Sequence, residues 1–410
     1  MCAKCGNTLE SGARFCAECG TPVAIATTHP VSAPPAIVPD PAQQWVAPSP
    51  VVTTPPPAEA VPASRRGLFI GIGAAVVAGG AGVAYWRSRP NRLVVDASGS
   101  GDYRTIASAI LAARQEDTIV LRPGTYKEAV EIDRDVRIVG EGGRSKVIVE
   151  AASGEGVFTF TAGSATLTGM TIRYTGPKDP GGGIGAISVQ GGKPVIEDCD
   201  LTSSAGAAVY ISGAGANPVI RNCTMRNSQG PGVNVFDQGQ GTIEKCVISG
   251  NANAGVQIKT GGNPTVRDCE IRDGKQSGVF VLEQGQGTIE KCVISGNALS
   301  GVEIKTGGNP VIRDCEIRDG QEGGVYVHTQ GQGMIEKCVI SGNALAGVAI
   351  KTGGNPTVRN CQINGNKGGG VFVHTQGSGT FMGCTITGVE PWDIQRTAGK
   401  VTRTGNTPNA

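Results

Sequence analysis

Nine cysteines recur through the second half of this chain at almost constant spacing. They are Cys199, Cys223, Cys246, Cys269, Cys292, Cys315, Cys338, Cys361 and Cys384; the first interval is 24 residues and the other seven are 23. A fixed period in this range marks a stack of structural units, each touching only its neighbours. Within a period the apolar residues alternate, as in GVFV, TIEKCVI and GVEI, over runs of two to five residues. Gly, Asn and Pro separate the runs, so they read as short strands joined by turns. The repeats carry no stripe at helical spacing.

Strands this short, returning every 23 residues, fit an all-β fold: a right-handed single-stranded parallel β-helix. Each period is one coil, and each strand pairs with its equivalent one coil later, about 4.8 Å away. Identical positions then stack. The cysteines form an internal column, and Leu201, Met225, Ile248, Ile271, Ile294, Ile317, Ile340, Ile363 and Ile386 form another. Cysteine is small and apolar enough for burial. Parallel stacking aims successive thiols alike, which disfavours disulfides although the Cα spacing permits them.

Charges follow the same rule. Two residues before the cysteines stand Glu197, Arg221, Glu244, Arg267, Glu290, Arg313, Glu336 and Arg359, the sign reversing at every coil. One residue before, Lys245, Asp268, Lys291, Asp314 and Lys337 alternate too. Stacked like charges would repel, so the 46-residue similarity between successive segments is a two-coil unit that keeps neighbours matched. Asp268, Asp273, Asp314 and Asp319 recur as repeat positions, as a scaffold requires. Ahead of the coils, Ile106, Ala109, Ile110 and Ala113 lie at helical spacing in residues 102–115, which predicts an amphipathic cap over the first coil. The β-helix is expected over 91–396, with a disordered tail at 397–410.

The amino-terminal part is different in kind. Cys2, Cys5, Cys16 and Cys19 form C-x2-C-x10-C-x2-C within residues 1–20. Four thiolates so spaced suit one tetrahedral structural Zn2+, which would supply the folding energy that so short a segment lacks. This piece resembles the zinc-ribbon modules at the amino termini of many bacterial membrane proteins. Residues 21–66 are a Pro-rich linker. Residues 67–86, GLFIGIGAAVVAGGAGVAYW, carry no charge and are long enough to span a bilayer, with Arg65, Arg66, Arg87 and Arg89 flanking them. A thiolate ribbon suits the reducing cytoplasm. Ser64-Arg65-Arg66-Gly67-Leu68-Phe69 resembles a twin-arginine export signal. Both place the β-helix outside the cytoplasm on a single-pass membrane anchor, with the ribbon free to meet a cytoplasmic partner. The nine coil cysteines then lie in an oxidising compartment, where burial would protect them.

At this point the chain resembles the pectin-lyase-like superfamily. GDYRTIASAILAARQEDTIVLRPGTYKEAV is similar to the opening segment of many parallel β-helix proteins, pectin methylesterases among them. GGVYVHTQGQGMIEKCVISGNALAGVAIKTGGNPTVRNCQI resembles the β-helix of F-box-type ubiquitin ligase adaptors and their bacterial relatives, over roughly residues 206–390. In those relatives asparagine often holds the ladder position that is cysteine here. The adaptors bind protein substrates through the β-helix. No F-box-like helical segment is present, so ligase function does not carry over.

With 36 basic and 34 acidic residues the chain is near neutral, which implies no field for nucleic acid. The superfamily's lyases, hydrolases and esterases act on acidic polysaccharides, but the coils here show no distinctive carboxylate cluster and no polygalacturonase motif. An irregular stretch from Asp179 to Gly185 interrupts the period. The sequence therefore reads first as a non-catalytic binding scaffold for protein or polysaccharide, with no catalytic residue assigned. Its alternative is an extracytoplasmic carbohydrate-active enzyme: lyase, hydrolase or esterase. The binding face expected is two outward columns: Phe280, Tyr326 and Phe372 in every second coil, and Lys259, Lys305, His328, Lys351 and His374 two residues further on. Aromatics beside cations suit a sugar chain or an acidic peptide.

Overall fold

A computed structural model describes residues 91–407 apart from 116, 179–182 and 389. The zinc-ligand cysteines, the linker and the 67–86 segment lie outside these residues. Among the described residues no helix is long and apolar enough to cross a membrane.

The described chain is a right-handed parallel β-solenoid with three sheets. Among the described residues sheet 1 has 14 strands and sheets 2 and 3 have 12 each, and hydrogen-bonded neighbours within a sheet are one coil apart in sequence. A representative coil runs Thr242–Glu244 in sheet 1, Val247–Ser249 in sheet 2 and Val256–Ile258 in sheet 3. All pairings are parallel and in register, as in Thr242↔Thr265, Ile248↔Ile271 and Gln257↔Phe280. Strand residues alternate strictly between inside and outside, and the inward Ile and Val columns are almost wholly buried.

Cysteine stands at the bend between sheets 1 and 2. The residue before it takes a left-handed backbone, with φ of 52° at Lys245 and 53° at Asp268. That bend swings the thiol inward. All nine are free, and none is more than 2 % exposed. Cys315 shows the common geometry: its thiol lies 3.2 Å from the Arg313 carbonyl and 3.5 Å from the Ile289 carbonyl of the coil below. A thiolate would face two carbonyl oxygens there, so the column stays protonated.

The carboxyl-terminal coil supplies the asparagine that the resemblance leads one to look for. Met382 pairs with Thr404, which sets Asn406 above Cys384 in the same column. Asn406 Oδ1 accepts from the Cys384 amide at 2.9 Å, and its Nδ2 donates to the Phe381 carbonyl at 3.0 Å. Cys361 makes the same pair of contacts with sulfur, to the Cys338 amide and the Ile335 carbonyl.

A second buried ladder follows the two-coil period over its middle coils. At the bend between sheets 2 and 3 stand Asn251, Gly274, Asn297, Gly320 and Asn343. Asn297 Oδ1 accepts from Gly274 N at 3.0 Å, and Nδ2 donates to the Ile271 carbonyl at 3.2 Å. One amide thus serves two coils. A Cβ on Gly274 would stand 3.1 Å from Asn297 Oδ1, so the glycine keeps room for it. The outer charges add pairs between coils: Arg221–Glu197 at 3.0 Å, Arg313–Glu290 at 2.5 Å, Arg359–Glu336 at 2.8 Å, and Arg267 with Glu244. Their arginines are about half exposed, so each pair contributes under ~1 kcal/mol.

Two expectations change. The cap is a single short helix, α1 (Ile106–Ala112), with Thr105 as its N-cap and Ile106, Ala109 and Ile110 buried. It is shorter than 102–115 because Tyr103 is drawn into a bridge with Val95 and Ala113 is already extended. The tail beyond 396 is not disordered over the described residues. Val401–Thr404 pair with Gly379–Met382, and Thr407 bridges to Thr385. The upper edge of the preceding coil offers unpaired backbone groups, and an alternating VTRT segment meets them.

Candidate functional site

The outward face of sheet 3 gathers every binding residue expected from the sequence. From Val256–Ile258 to Val371–Val373 each strand there is three residues long with its two ends buried, as in Val325–Val327, so the middle residue faces out. Register aligns Tyr210, Asn234, Gln257, Phe280, Glu303, Tyr326, Ala349, Phe372 and Asp393 in one column. Two residues on, past the buried strand end, the chain presents Lys259, Leu282, Lys305, His328, Lys351 and His374 in a second column on the same side.

The columns touch. Lys305 Nζ lies 4.8 Å from the Phe280 ring centre in the coil below. Lys351 stands 5.9 Å from Tyr326 and 5.3 Å from Phe372, the small Ala349 leaving it room between them. Tyr326 and His328 stack at 4.3 Å and 14°, and Phe372 and His374 at 3.7 Å and 22°. Lys259 lies 5.7 Å over Phe236.

The tightest cluster centres on His328. Its Nε2 is 3.2 Å from Glu303 Oε1 and its Nδ1 is 2.9 Å from Thr329 Oγ1. Ser277 Oγ donates to Glu303 Oε2 at 2.9 Å, and Lys305 Nζ is 3.8 Å from Oε1. Both the imidazole and the carboxylate are only 17 % exposed. Burial pushes the Glu303 carboxyl up, but hydrogen bonds from His328 and Ser277 and the charge of Lys305 outweigh it and hold the group below the usual range. With the folded value depressed, this contact stabilises the fold above the ordinary carboxylate range and is lost as pH falls through that lower value. Burial, then the charges of Glu303 and Glu322, raise the Tyr326 hydroxyl. With Nε2 donating to the carboxylate, Nδ1, which faces only the rotatable Thr329 hydroxyl, is the nitrogen that can take and return a proton. A looser copy follows, with His374 Nε2 at 3.7 Å from Asp393 Oδ2.

Ser277, Thr329 and Asp393 do not figure in the sequence reading of the face, and neither do Tyr210 and Phe236. Phe236 stands 23 residues before Lys259, so extending the second column back one coil would have found it. Glu303 reads in sequence as a spacer between aromatics. Residues 179–182 of the irregular stretch lie outside the described residues. Among the described residues, no group of three or more His, Cys, Asp or Glu is placed to hold a metal.

The family model for the right-handed beta helix region matches residues 155–285 and 264–407, and that for the zinc-ribbon domain matches residues 1–23. The second match covers Cys2, Cys5, Cys16 and Cys19, a donor set that suits Zn2+. The purified chain is expected to carry one zinc by elemental analysis, and Cys16→Ser with Cys19→Ser to lose it without changing the solenoid's far-ultraviolet dichroism. No curated protein matches the chain. Among solved structures, the A-module of mannuronan C-5 epimerase AlgE6 from Azotobacter vinelandii is similar at 20 % identity over 73 % of this chain and 92 % of that one, TM-score 0.51. The catalytic domain of a GH87 alpha-1,3-glucanase, solved with tetrasaccharides, is 14 % identical over 77 % and 69 %, TM-score 0.55. The periplasmic alginate epimerase AlgG is 12 % identical over 71 % and 77 %, TM-score 0.50. At these identities the likeness is one of fold.

Proposed function

This chain belongs to the right-handed β-helix family, and from that premise we propose that it is a carbohydrate-active enzyme that works on an acidic polysaccharide laid along sheet 3. The observation that carries the reading is the His328–Glu303 pair, stacked on Tyr326 and set between Lys305 and Lys351. Lys259, Lys305 and Lys351 recur every second coil, about 9.6 Å apart at ordinary strand spacing. A row of positive charge at a fixed interval suits a polymer with regular negative charge, and the rings beneath it suit the apolar faces of sugars. The lysines neutralise a uronate carboxylate, which makes the neighbouring C–H more acidic. His328 Nδ1, turned from the Thr329 hydroxyl, removes that proton while Glu303, holding Nε2–H, steadies the imidazolium. The carbanion then either takes a proton back on its opposite face, giving the epimer, or expels the glycosidic oxygen on the next carbon, which leaves with a proton and gives the unsaturated residue. The β-helix is proposed to lie outside the cytoplasm, carried by the 67–86 segment, where such polymers occur.

A non-catalytic scaffold is the second reading. What favours it is that His328 and His374 stand at equivalent repeat positions, as a binding surface would place them. The two separate on incubation with polymannuronate, polygalacturonate and a neutral glucan. New unsaturated or epimerised residues in a uronate polymer, read by absorbance and NMR, support the enzyme. Uronate binding with no change in the polymer leaves the scaffold, and absence of uronate binding overturns both. Lys305→Met is expected to weaken uronate binding about tenfold or more, since it removes one charge-assisted contact.

A further inference from the structure

We propose that the amino-terminal end of the sheet 3 face is a separate subsite for an uncharged sugar residue, built by Glu155, Ser188, Gln190, Tyr210, Ser212 and Phe236. It rests on the reading that this face takes polysaccharide, and it adds a second specificity to it. The six residues line a cavity of about 300 Å³. A neighbouring cavity of about 430 Å³ shares Glu155 and Gln190 and continues along the same strands. Small-ligand sites begin in this range of size.

The position is continuous with the lysine row. Ser188 pairs with Tyr210 in the first column, and Ser212 pairs with Phe236 in the second. The chemistry differs. Gln190 Nε2 donates to Glu155 Oε2 at 2.6 Å. A carboxylate held beside a carboxamide offers acceptors and a donor side by side, which matches adjacent sugar hydroxyls. Ser188 and Ser212 add two hydroxyls. Tyr210 and Phe236 meet edge to face at 6.2 Å and 87°, and the Tyr210 hydroxyl accepts from Ala207 N at 3.3 Å, which fixes that ring. Tyr210 is buried, so the half-buried Phe236 ring, held edge to face against it, is the apolar wall for sugar C–H groups.

Charge decides the ligand class. Among the described residues Glu155 is the one charged residue in this lining, so a uronate would meet a like charge. Lys259, the first lysine of the row, lies over Phe236 and marks where the cationic stretch begins. An uncharged residue at this end, followed by acidic residues over the lysines, satisfies both halves.

Calorimetry on the full-length chain with a β-1,4-linked mannose oligomer and with its mannuronate counterpart tests this. Phe236→Ala and Glu155→Gln are each expected to weaken the mannose oligomer about tenfold, and Glu155→Gln to leave the mannuronate oligomer unchanged. Lys305→Met is expected to do the reverse. Glu155 is exposed and Glu155→Gln keeps the shape of the site, so that variant reads the subsite without loss of fold; Phe236 is half-buried, and far-ultraviolet dichroism checks the fold of Phe236→Ala. No binding of the mannose oligomer, or binding indifferent to both variants, overturns the subsite. A mannose oligomer that responds while the mannuronate oligomer ignores Lys305→Met upholds the subsite and overturns the lysine row.

Discussion

His328→Ala is expected to cut product formation from a uronate polymer by about 10²–10⁴-fold, the range that a positioned acid–base group supplies. Binding of the same polymer should hold, because the lysines and rings on either side remain. The reason lies in the two contacts of the imidazole. Thr329 and Glu303 fix its tilt against Tyr326, and Ser277 fixes Glu303 in turn. Glu303→Gln should therefore give a smaller loss in turnover, since a carboxamide still accepts from the ring but does not stabilise its charged form. A His328→Ala protein that turns the polymer over at the parental rate would leave the chain as a binding scaffold.

The second large effect is in the core. Cys315→Asn and Cys315→Asp differ by one atom in the side chain, yet the aspartate is expected to be less stable by about 3–5 kcal/mol in chemical denaturation at neutral pH. Asn406 shows why. An amide at this column position donates to a carbonyl with its nitrogen and accepts from an amide with its oxygen. A carboxylate has no proton to give, so one oxygen would face the Ile289 carbonyl that the Cys315 thiol now meets. Burial would raise the aspartate's folded pKa above its unfolded value of about 3.9. The deficit should then shrink as the medium is acidified: stability is full below the unfolded value and is lost as pH rises through the folded one. Equal stability of the two variants would mean that the column is not hydrogen-bonded as described.

Much of this architecture is legible in the sequence because a solenoid turns spacing into contact. Residues 23 apart touch, so the cysteine column, the isoleucine column and the Glu–Arg pairs can be read by counting. What escapes counting is whatever joins different columns or breaks the period. The Glu303–His328 contact joins residues 25 apart in two columns, and the exact repeats around them disguise it as a spacer beside a cation. Asn406 closes the cysteine column after a gap of 22 from Cys384, within a tail whose composition reads as disordered. It is ordered because the edge below it supplies its partners. The Asn–Gly ladder shares the two-coil period of the charges, and its cross-coil hydrogen bonds, which Ser228 and Asn343 also make with the asparagine of the next coil, appear only when the coils are stacked.

A crystal structure of the chain with a mannuronate oligomer bound tests the central claim most directly. The oligomer is expected along sheet 3, across the strands, with carboxylates at Lys305 and Lys351 and one sugar C–H within reach of His328 Nδ1. An oligomer seated on sheet 1 or sheet 2, or lying on sheet 3 with its carboxylates turned away from the lysines, would contradict it.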